Sequence, residues 1–333
     1  MPIIRLSNGS QFESEPKESV LDAAMRAGVT VSYSCRTGRC SSCKAKVQSG
    51  ASVPLQEELG LSQEEKSAGW MLSCVRTAES DLALEVEDLG DVVLPAPKTL
   101  PCRIHALERL APDVLRVVLR LPPSAMFTYY PGQYVDVLGP GGVRRSYSIA
   151  NASADHKLLE LHIRQVAGGV MSEYWFAQAK ENDLLRLHGP LGTFFLRDIA
   201  GKDLVFLATG TGIAPVKAML ESFAGFAEQD RPRSVSVYWG GRTPADLYWD
   251  VAGAAGGHRY VPVLSRAQDG WPGARGYVQQ ALLSDTNDFS SVVAYACGSN
   301  TMIQDARRAL LQAGLPERRF HSDAFVCSAD GAN

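Results

Sequence analysis

Cys35, Cys40 and Cys43 stand in a C-x4-C-x2-C array, and Cys74 follows after thirty intervening residues. Thiolates at this spacing are those that hold a two-iron two-sulfur cluster. Four sulfurs must converge on two irons, so the backbone between Cys35 and Cys43 has to bend tightly. Gly38, Ser41 and Ser42 permit that bend and let backbone N–H groups turn toward the sulfurs, which stabilises an anionic cluster. A structural zinc site normally shows two C-x2-C pairs, and only one is present. The chain has seven cysteines, an odd number, and four crowd into residues 35–74, which suits metal binding in a reducing compartment better than a disulfide framework.

The 333 residues are enough for two or three domains, and 45% hydrophobic with 21% charged residues is ordinary globular composition. A formal net charge of -3 and the lack of a long basic run argue against a nucleic-acid partner. Met1 to Phe12 lacks the charged-then-apolar order of an export signal, and the apolar stretch Leu204 to Leu220 is broken by glycines, Pro215 and Lys217. The expectation is a cytoplasmic protein with no membrane contact. No Ser-His-Asp arrangement or G-x-S-x-G elbow supports a hydrolase.

Three segments of different character succeed one another. The first opens with a hairpin, Ile3–Leu6 and Gln11–Glu13 around Asn8-Gly9, followed by a helix from Val20 to Ala27 that Ser19 and Asp22 cap and Gly28 stops. After the cysteine loop come a strand at Lys44–Val47, an acidic surface stretch from Gln56 to Lys66, and a closing strand at Leu82–Val86. Asp91 to Pro101, with three prolines, reads as a linker. The second segment alternates apolar and polar residues in short runs at Leu115–Leu121, Gln133–Leu138, Leu158–Val166 and Asp183–His188, which predicts an antiparallel barrel interrupted by one helix near Val170–Gln178. In the third, strands at Leu204–Ala208, Val235–Tyr238, Tyr260–Leu264 and Val292–Ala296 alternate with helices at Val216–Phe223 and Met302–Ala313. That order predicts a parallel sheet with helices on both faces. Within it, Thr209-Gly210-Thr211-Gly212-Ile213-Ala214-Pro215 lies between strand and helix, where bare backbone and a helix N-terminus can receive a pyrophosphate.

The run from Tyr33 to Cys43 resembles a plant-type ferredoxin domain, and the remainder resembles the ferredoxin-NADP reductase superfamily; together they span essentially the whole chain. The resemblance implies a β-grasp ferredoxin domain over residues 1–91, a linker over 92–101, an antiparallel β-barrel FAD domain over 102–198 and a doubly wound parallel-sheet NAD domain over 199–333. It also assigns residues. Arg145-Ser146-Tyr147-Ser148 matches the R-x-Y-S motif, with Arg145 on the FAD pyrophosphate, Tyr147 against the isoalloxazine and Ser148 near flavin N5. Gly169, Val170 and Ser172 open a helix toward the pyrophosphate, and His162-Ile163-Arg164 borders the flavin. Tyr130-Pro131-Gly132-Gln133 is a further landmark, which is also simply a turn into a strand.

Thr209, Gly210, Thr211, Gly212 and Pro215 take the nicotinamide dinucleotide by the same resemblance, and Cys297-Gly298-Ser299 places a thiol beside nicotinamide C4. Phe325 covers the flavin, although eight residues follow it here. Ser265, Arg266, Arg275, Tyr277 and Arg242 border the adenosine or bind a 2'-phosphate, with NADH preferred over NADPH because a committed phosphate site gathers several cations. Cys102 and Cys327 lack such neighbours and read as ordinary buried thiols.

Leu21–Ala24, Arg144–Asn151, Gly189–Phe195, Ala214–Lys217, Tyr295–Ser299 and Ser322–Phe325 are most similar to the reductases of dideoxysugar biosynthesis. Their electron-accepting protein is a pyridoxamine-phosphate dehydratase. The alternatives are the reductase component of a multicomponent oxygenase, which passes electrons to the oxygenase component, and, in another class, a redox sensor without turnover.

Overall fold

The computed structural model describes residues 1–86, 89–90, 92–152, 157–253 and 257–326. They form two compact units. The smaller comprises Met1–Leu94 with two later segments, Gly192–Phe194 and Asp323–Val326; the larger comprises Pro95–Leu191 and Phe195–Ser322. Among the described residues no helix is long and apolar enough to cross a membrane.

In the smaller unit strands β1 (Ile3–Leu6) and β2 (Gln11–Glu13) form the expected hairpin. Helix α1 (Val20–Arg26) begins where Ser19 Oγ accepts the Asp22 N–H at 3.0 Å, a cap that contributes ~1 kcal/mol. Then come β3 (Lys44–Ser49), β4 (Ser52–Pro54), α2 (Gln63–Ser67), β5 (Trp70–Leu72), β6 (Arg76–Ala78) and β7 (Leu82–Val86). The main sheet has the order β2-β1-β7-β3-β5, with β1 parallel to β7, and is a β-grasp. Period-two alternation turns Ile4 and Leu6 of β1 and Leu82 and Leu84 of β7 into a core with Leu21 and Leu72. The acidic stretch is not all surface: Glu58 is buried because its carboxylate accepts from Leu72 N at 2.7 Å and Arg76 at 2.8 Å.

The larger unit holds two sheets. The first contains β8 (Lys98–Ala111), β9 (Val114–Arg120), β10 (Tyr134–Leu138), β11 (Arg144–Ser148), β12 (Leu158–Arg164) and β13 (Leu184–Leu191), in the order β11-β10-β13-β8-β9-β12. A bridge between Ile149 and Leu161 closes it into a barrel. Lys98–Pro101, read as the end of the three-proline linker, start β8 and pair with β13. The helix expected over Val170–Gln178 is one α-turn, α3 (Val170–Glu173), running into a π-helical turn at Tyr174–Gln178.

The second sheet has β14 (Asp203–Thr209), β15 (Ser234–Gly241), β16 (Arg259–Leu264), β17 (Ala274–Arg275), β18 (Val292–Ser299) and β19 (Phe320–Phe325), in the order β17-β16-β15-β14-β18-β19. Strands β14 to β18 are mutually parallel where paired, and α4 (Ile213–Ser222), α5 (Val278–Asp285) and α6 (Asn300–Gln312) cover them. Chain order runs outward in opposite directions from β14 and β18, so the sheet's switch point lies between their C-terminal ends, where α/β sheets take ligands.

His321 of β19 is buried, its Nδ1 3.0 Å from Arg197 Nη2. Burial, then the Arg197 charge, push its pKa down from 6.5 to about 3. The unfolded chain therefore binds a proton below pH 6.5 that the folded chain refuses until about pH 3, so stability falls as pH drops through that window. His321→Gln is expected to flatten the decline, measured as the calorimetric melting temperature between pH 7 and pH 4.

Candidate functional site

The cysteine loop bends through three residues with positive φ, Arg36 at 58°, Gly38 at 73° and Ser41 at 63°. At Gly38 the demand for glycine is double, since a Cβ there would come within 2.6 Å of the Glu57 carbonyl. The sulfurs form two pairs. Cys35 N and Cys40 Sγ are 3.4 Å apart, as are Thr37 N and Cys35 Sγ, while Cys43 Sγ and Cys74 Sγ are 3.2 Å apart. The Cys40 contact and the Thr37 groups draw the Cys35 thiol well below its ordinary range, and the Cys43 contact lowers Cys74. Each pair supplies the two thiolates that one iron of a two-iron cluster takes. Late segments of the same unit brace the approach to the loop: Tyr33 N donates to Thr193 Oγ1 at 2.8 Å and Ser34 Oγ to Asp323 Oδ1 at 2.5 Å. Phe325 belongs to that second segment and is 36% exposed.

In the barrel, β11 carries the R-x-Y-S residues opposite β10, with Tyr147 facing Val135 and Ser148 facing Tyr134. Ser148 is buried. Arg145 is half-buried and donates to the Arg144 carbonyl at 2.7 Å, and Ser146 donates to Asp136 at 2.6 Å. Tyr147 Oη accepts from Trp175 Nε1 at 3.0 Å, and burial raises its pKa to about 12. That contact docks the turn after α3 against β11. The start of α3 docks as well, for a Cβ on Gly139 in the β10–β11 turn would lie 2.2 Å from Met171 Sδ.

Val170 is exposed, and Ser172 Oγ accepts from Val166 N at 2.9 Å. Beside Gly168 and Gly169 lies a cavity of about 380 Å³ that also involves Ser172, Arg109 and Phe176, with the Arg109 guanidinium 5.3 Å from the Phe176 ring centre. No local pattern marked Arg109 or Phe176. A cavity at a helix start lined by Gly168, Gly169 and Ser172 fits part of an anionic cofactor such as FAD.

At the switch point two backbones nearly touch. A Cβ on Gly212 would sit 2.2 Å from the Cys297 carbonyl, and one on Gly298, at φ +135°, would sit 2.2 Å from Thr209 Oγ1. Thr209 Oγ1 also accepts from Ser299 N at 3.2 Å, while Trp239 Nε1 holds the Gly210 carbonyl at 3.0 Å. Thr211 and Cys297 are buried, and Pro215 sits in the first turn of α4. Beyond the ends of β15 and β16 the exposed Arg242 and Arg266 meet through a backbone bond of 3.1 Å beside Ser265. Arg275 donates to the Ala267 and Gln268 carbonyls at 3.3 and 3.0 Å, and Tyr277 is exposed.

His162, Ile163 and Arg164 divide between two faces. Ile163 is core, whereas His162 is bound by Glu160 at 2.9 Å and Tyr248 at 3.1 Å, and Arg164 by Asp113 at 2.8 Å and by Asp246. Burial would raise the Glu160 carboxyl, but the His162 bond and the Lys217 and Arg116 charges hold it at about 2. Cys102 is a buried core thiol raised to about 12 by burial, and Cys327 lies outside the described residues.

A loop of paired thiols, a barrel strand docked on a glycine helix start and a glycine-lined switch point define an electron-transfer reductase built from iron-sulfur, FAD-binding and NAD-binding domains. The matching family models are the 2Fe-2S iron-sulfur cluster binding domain over residues 5–79, the oxidoreductase FAD-binding domain over 101–196 and the oxidoreductase NAD-binding domain over 206–308. The chain is 42% identical to the CDP-6-deoxy-L-threo-D-glycero-4-hexulose-3-dehydrase reductase of Yersinia pestis, across 96% of this chain and 97% of that one. It is 30% identical to reductase component 1 of terephthalate 1,2-dioxygenase from a Comamonas species, across 97% and 96%. The crystal structure of the Amycolatopsis cytochrome P450 reductase GcoB superposes with a TM-score of 0.77 at 30% identity, covering 99% of this chain and all of that one. The chain belongs to this family of iron-sulfur flavoprotein reductases, within the ferredoxin-NADP reductase superfamily, and is an oxidoreductase of FAD, a 2Fe-2S cluster and a pyridine nucleotide.

Gly298→Ala is expected to weaken NAD+ binding by ~10-fold or more while FAD content stays unchanged, because the added Cβ meets backbone that cannot move aside. Calorimetric titration with NAD+ checks it.

Proposed function

We propose that the chain draws electrons from NADH and passes them singly to a dehydratase carrying a pyridoxamine-phosphate adduct of a nucleotide sugar, the role of a CDP-6-deoxy-3,4-glucoseen reductase. The observation that carries the electron-transfer part is the meeting of the Gly212 and Gly298 loops at the switch point, in the same unit as the R-x-Y-S strand. The acceptor rests on the 42% identity with the Yersinia relative named as a dehydrase reductase.

FAD, when bound, accepts a hydride and releases electrons one at a time, which a 2Fe-2S cluster can carry. Cys35, Cys40, Cys43 and Cys74 hold the cluster. Arg145, Gly169, Val170 and Ser172 would hold the FAD pyrophosphate, for which a guanidinium fork and a helix start are suited. Ser146 steadies the strand through Asp136, and Tyr147 and Ser148 would hold the flavin, Tyr147 by ring contact and Ser148 by a hydrogen bond. Thr209, Gly210, Thr211 and Gly212 would receive the nicotinamide dinucleotide, Pro215 sits in the first turn of the helix behind them, and Cys297 and Gly298 would lie beside the nicotinamide. Arg242 and Arg266 border the adenosine. Arg275 is spent on loop carbonyls, which leaves too few cations for a committed 2'-phosphate site and favours NADH. The working compartment is the cytoplasm, where the cysteines stay reduced.

Cys74→Ser is expected to lose the cluster's visible absorbance and most cytochrome c reduction while retaining reduction of ferricyanide, which takes electrons directly from flavin. Equal cytochrome c rates in variant and wild type would refute the cluster as the exit. The acceptor is tested by mixing NADH, this protein and either a purified pyridoxamine-phosphate dehydratase with its nucleotide-sugar substrate or an oxygenase component. Reduced sugar product is expected from the first mixture. Turnover only with the oxygenase component would make the chain an oxygenase reductase, as the Comamonas relative is named.

A further inference from the structure

We propose that the outer face of β12, formed by Glu160, His162 and Arg164, is a positioning seam that holds the end of the flavin strand and the nucleotide loop at a fixed separation. The inference rests on the hydride-transfer reading above and adds residues that act through others.

The pleat creates the face. Leu159, Leu161 and Ile163 are at most 1% exposed and fill the barrel core, so the three residues alternating with them must point the other way. Each then finds a partner in the nucleotide half of the same unit. Glu160 takes Arg116 at 2.9 Å from the barrel, His162 at 2.9 Å and Lys217 of α4 at 3.2 Å. Lys217 also donates to the Ala150 carbonyl at 3.2 Å and to Glu221 at 2.5 Å, and Glu221 accepts the Ala152 N–H at 2.9 Å. Helix α4, which starts directly after the Thr209–Gly212 loop, thus grips the backbone just beyond Ser148.

The second arm runs from His162 to Tyr248 Oη at 3.1 Å. Tyr248 lies edge-on to Trp239 at 5.1 Å, and Trp239 holds the Gly210 carbonyl. The third runs from Arg164 to Asp246, and the Arg164 guanidinium sits where a Cβ on Gly210 would come within 2.7 Å of it. All three arms end on an element of the nucleotide site.

Why polar? Buried ion pairs are poor sources of stability because desolvation offsets their attraction, whereas apolar surfaces of similar size stabilise without fixing register. Directional bonds to Glu160 and Arg164 set one register. Reacting atoms must be held to within a fraction of an ångström, and a slip of ~1 Å is enough to slow transfer ~100-fold.

The test uses the full-length holoprotein with Lys217→Met, Lys217→Arg and, on the separate Arg164 arm, Asp246→Asn. Lys217→Met leaves Glu160 with Arg116 and His162, so no carboxylate is stranded. Expected for Lys217→Met and Asp246→Asn is ~10- to 100-fold slower single-turnover flavin reduction by NADH, with FAD content and the NAD+ dissociation constant within ~2-fold of wild type. Reduction by dithionite, which bypasses the nicotinamide, should keep its wild-type rate. Independently of activity, hydrogen exchange at Ala152 and around Gly210 should quicken in Lys217→Met and recover, with the rate, in Lys217→Arg. The seam is overturned if both disrupted variants reduce flavin at the wild-type rate, or if their loss of rate tracks loss of FAD or of melting temperature. A wild-type protein whose flavin NADH fails to reduce would take down the hydride reading as well, and that failure is recognisable because it precedes any substitution.

Discussion

A β-strand shows alternate residues to opposite faces, and the larger unit turns on what β12 does with that constraint. One face, Leu159, Leu161 and Ile163, completes the barrel core; the other, Glu160, His162 and Arg164, meets the nucleotide half in directional polar contacts. Glu160 stays ionised despite burial because Arg116, Lys217 and His162 surround it. Removing the carboxylate would take from Arg116 and Lys217 the acceptor they share, and a partly satisfied network of this kind is costly. The barrel and the parallel sheet belong to one compact unit.

The switch point obeys a second constraint, that two loops pass this close only where side chains are missing. Gly212 and Gly298 meet it, since a Cβ on either would lie 2.2 Å from an atom of the facing loop. The two loops lie on β14 and β18, which are neighbours in the sheet although far apart in sequence. Parallel pairing brings them together, and the Trp239 bond to the Gly210 carbonyl holds one of them in place.

The cluster loop is governed by ligand geometry. Positive φ at Arg36, Gly38 and Ser41 folds the backbone around its own thiols, and Cys74 arrives from beside β5 to pair with Cys43. Glycine at residue 38 follows from the turn and from the nearby Glu57 carbonyl together.

Much of this was legible in the residues. The four thiols, the R-x-Y-S strand, the Thr209–Gly212 loop and the order of three domains depend on short spacings, and local backbone geometry turns such spacings into ligand sets and turns. Glu160, His162 and Arg164 also left a trace, as polar residues alternating through an apolar strand, but the trace carries no partner. Lys217, Tyr248 and Asp246 are distant in sequence, and nothing in their neighbourhoods says which strand they meet. For the same reason Glu58 read as surface until Arg76 proved to be its neighbour, and Lys98–Pro101 read as linker until β13 paired with them. The cofactor-binding motifs are readable from the residues alone, because their chemistry is encoded within a few positions. Which of them touch emerges in the folded chain, because sheet order and strand facing arise from burying the whole chain's apolar surface at once.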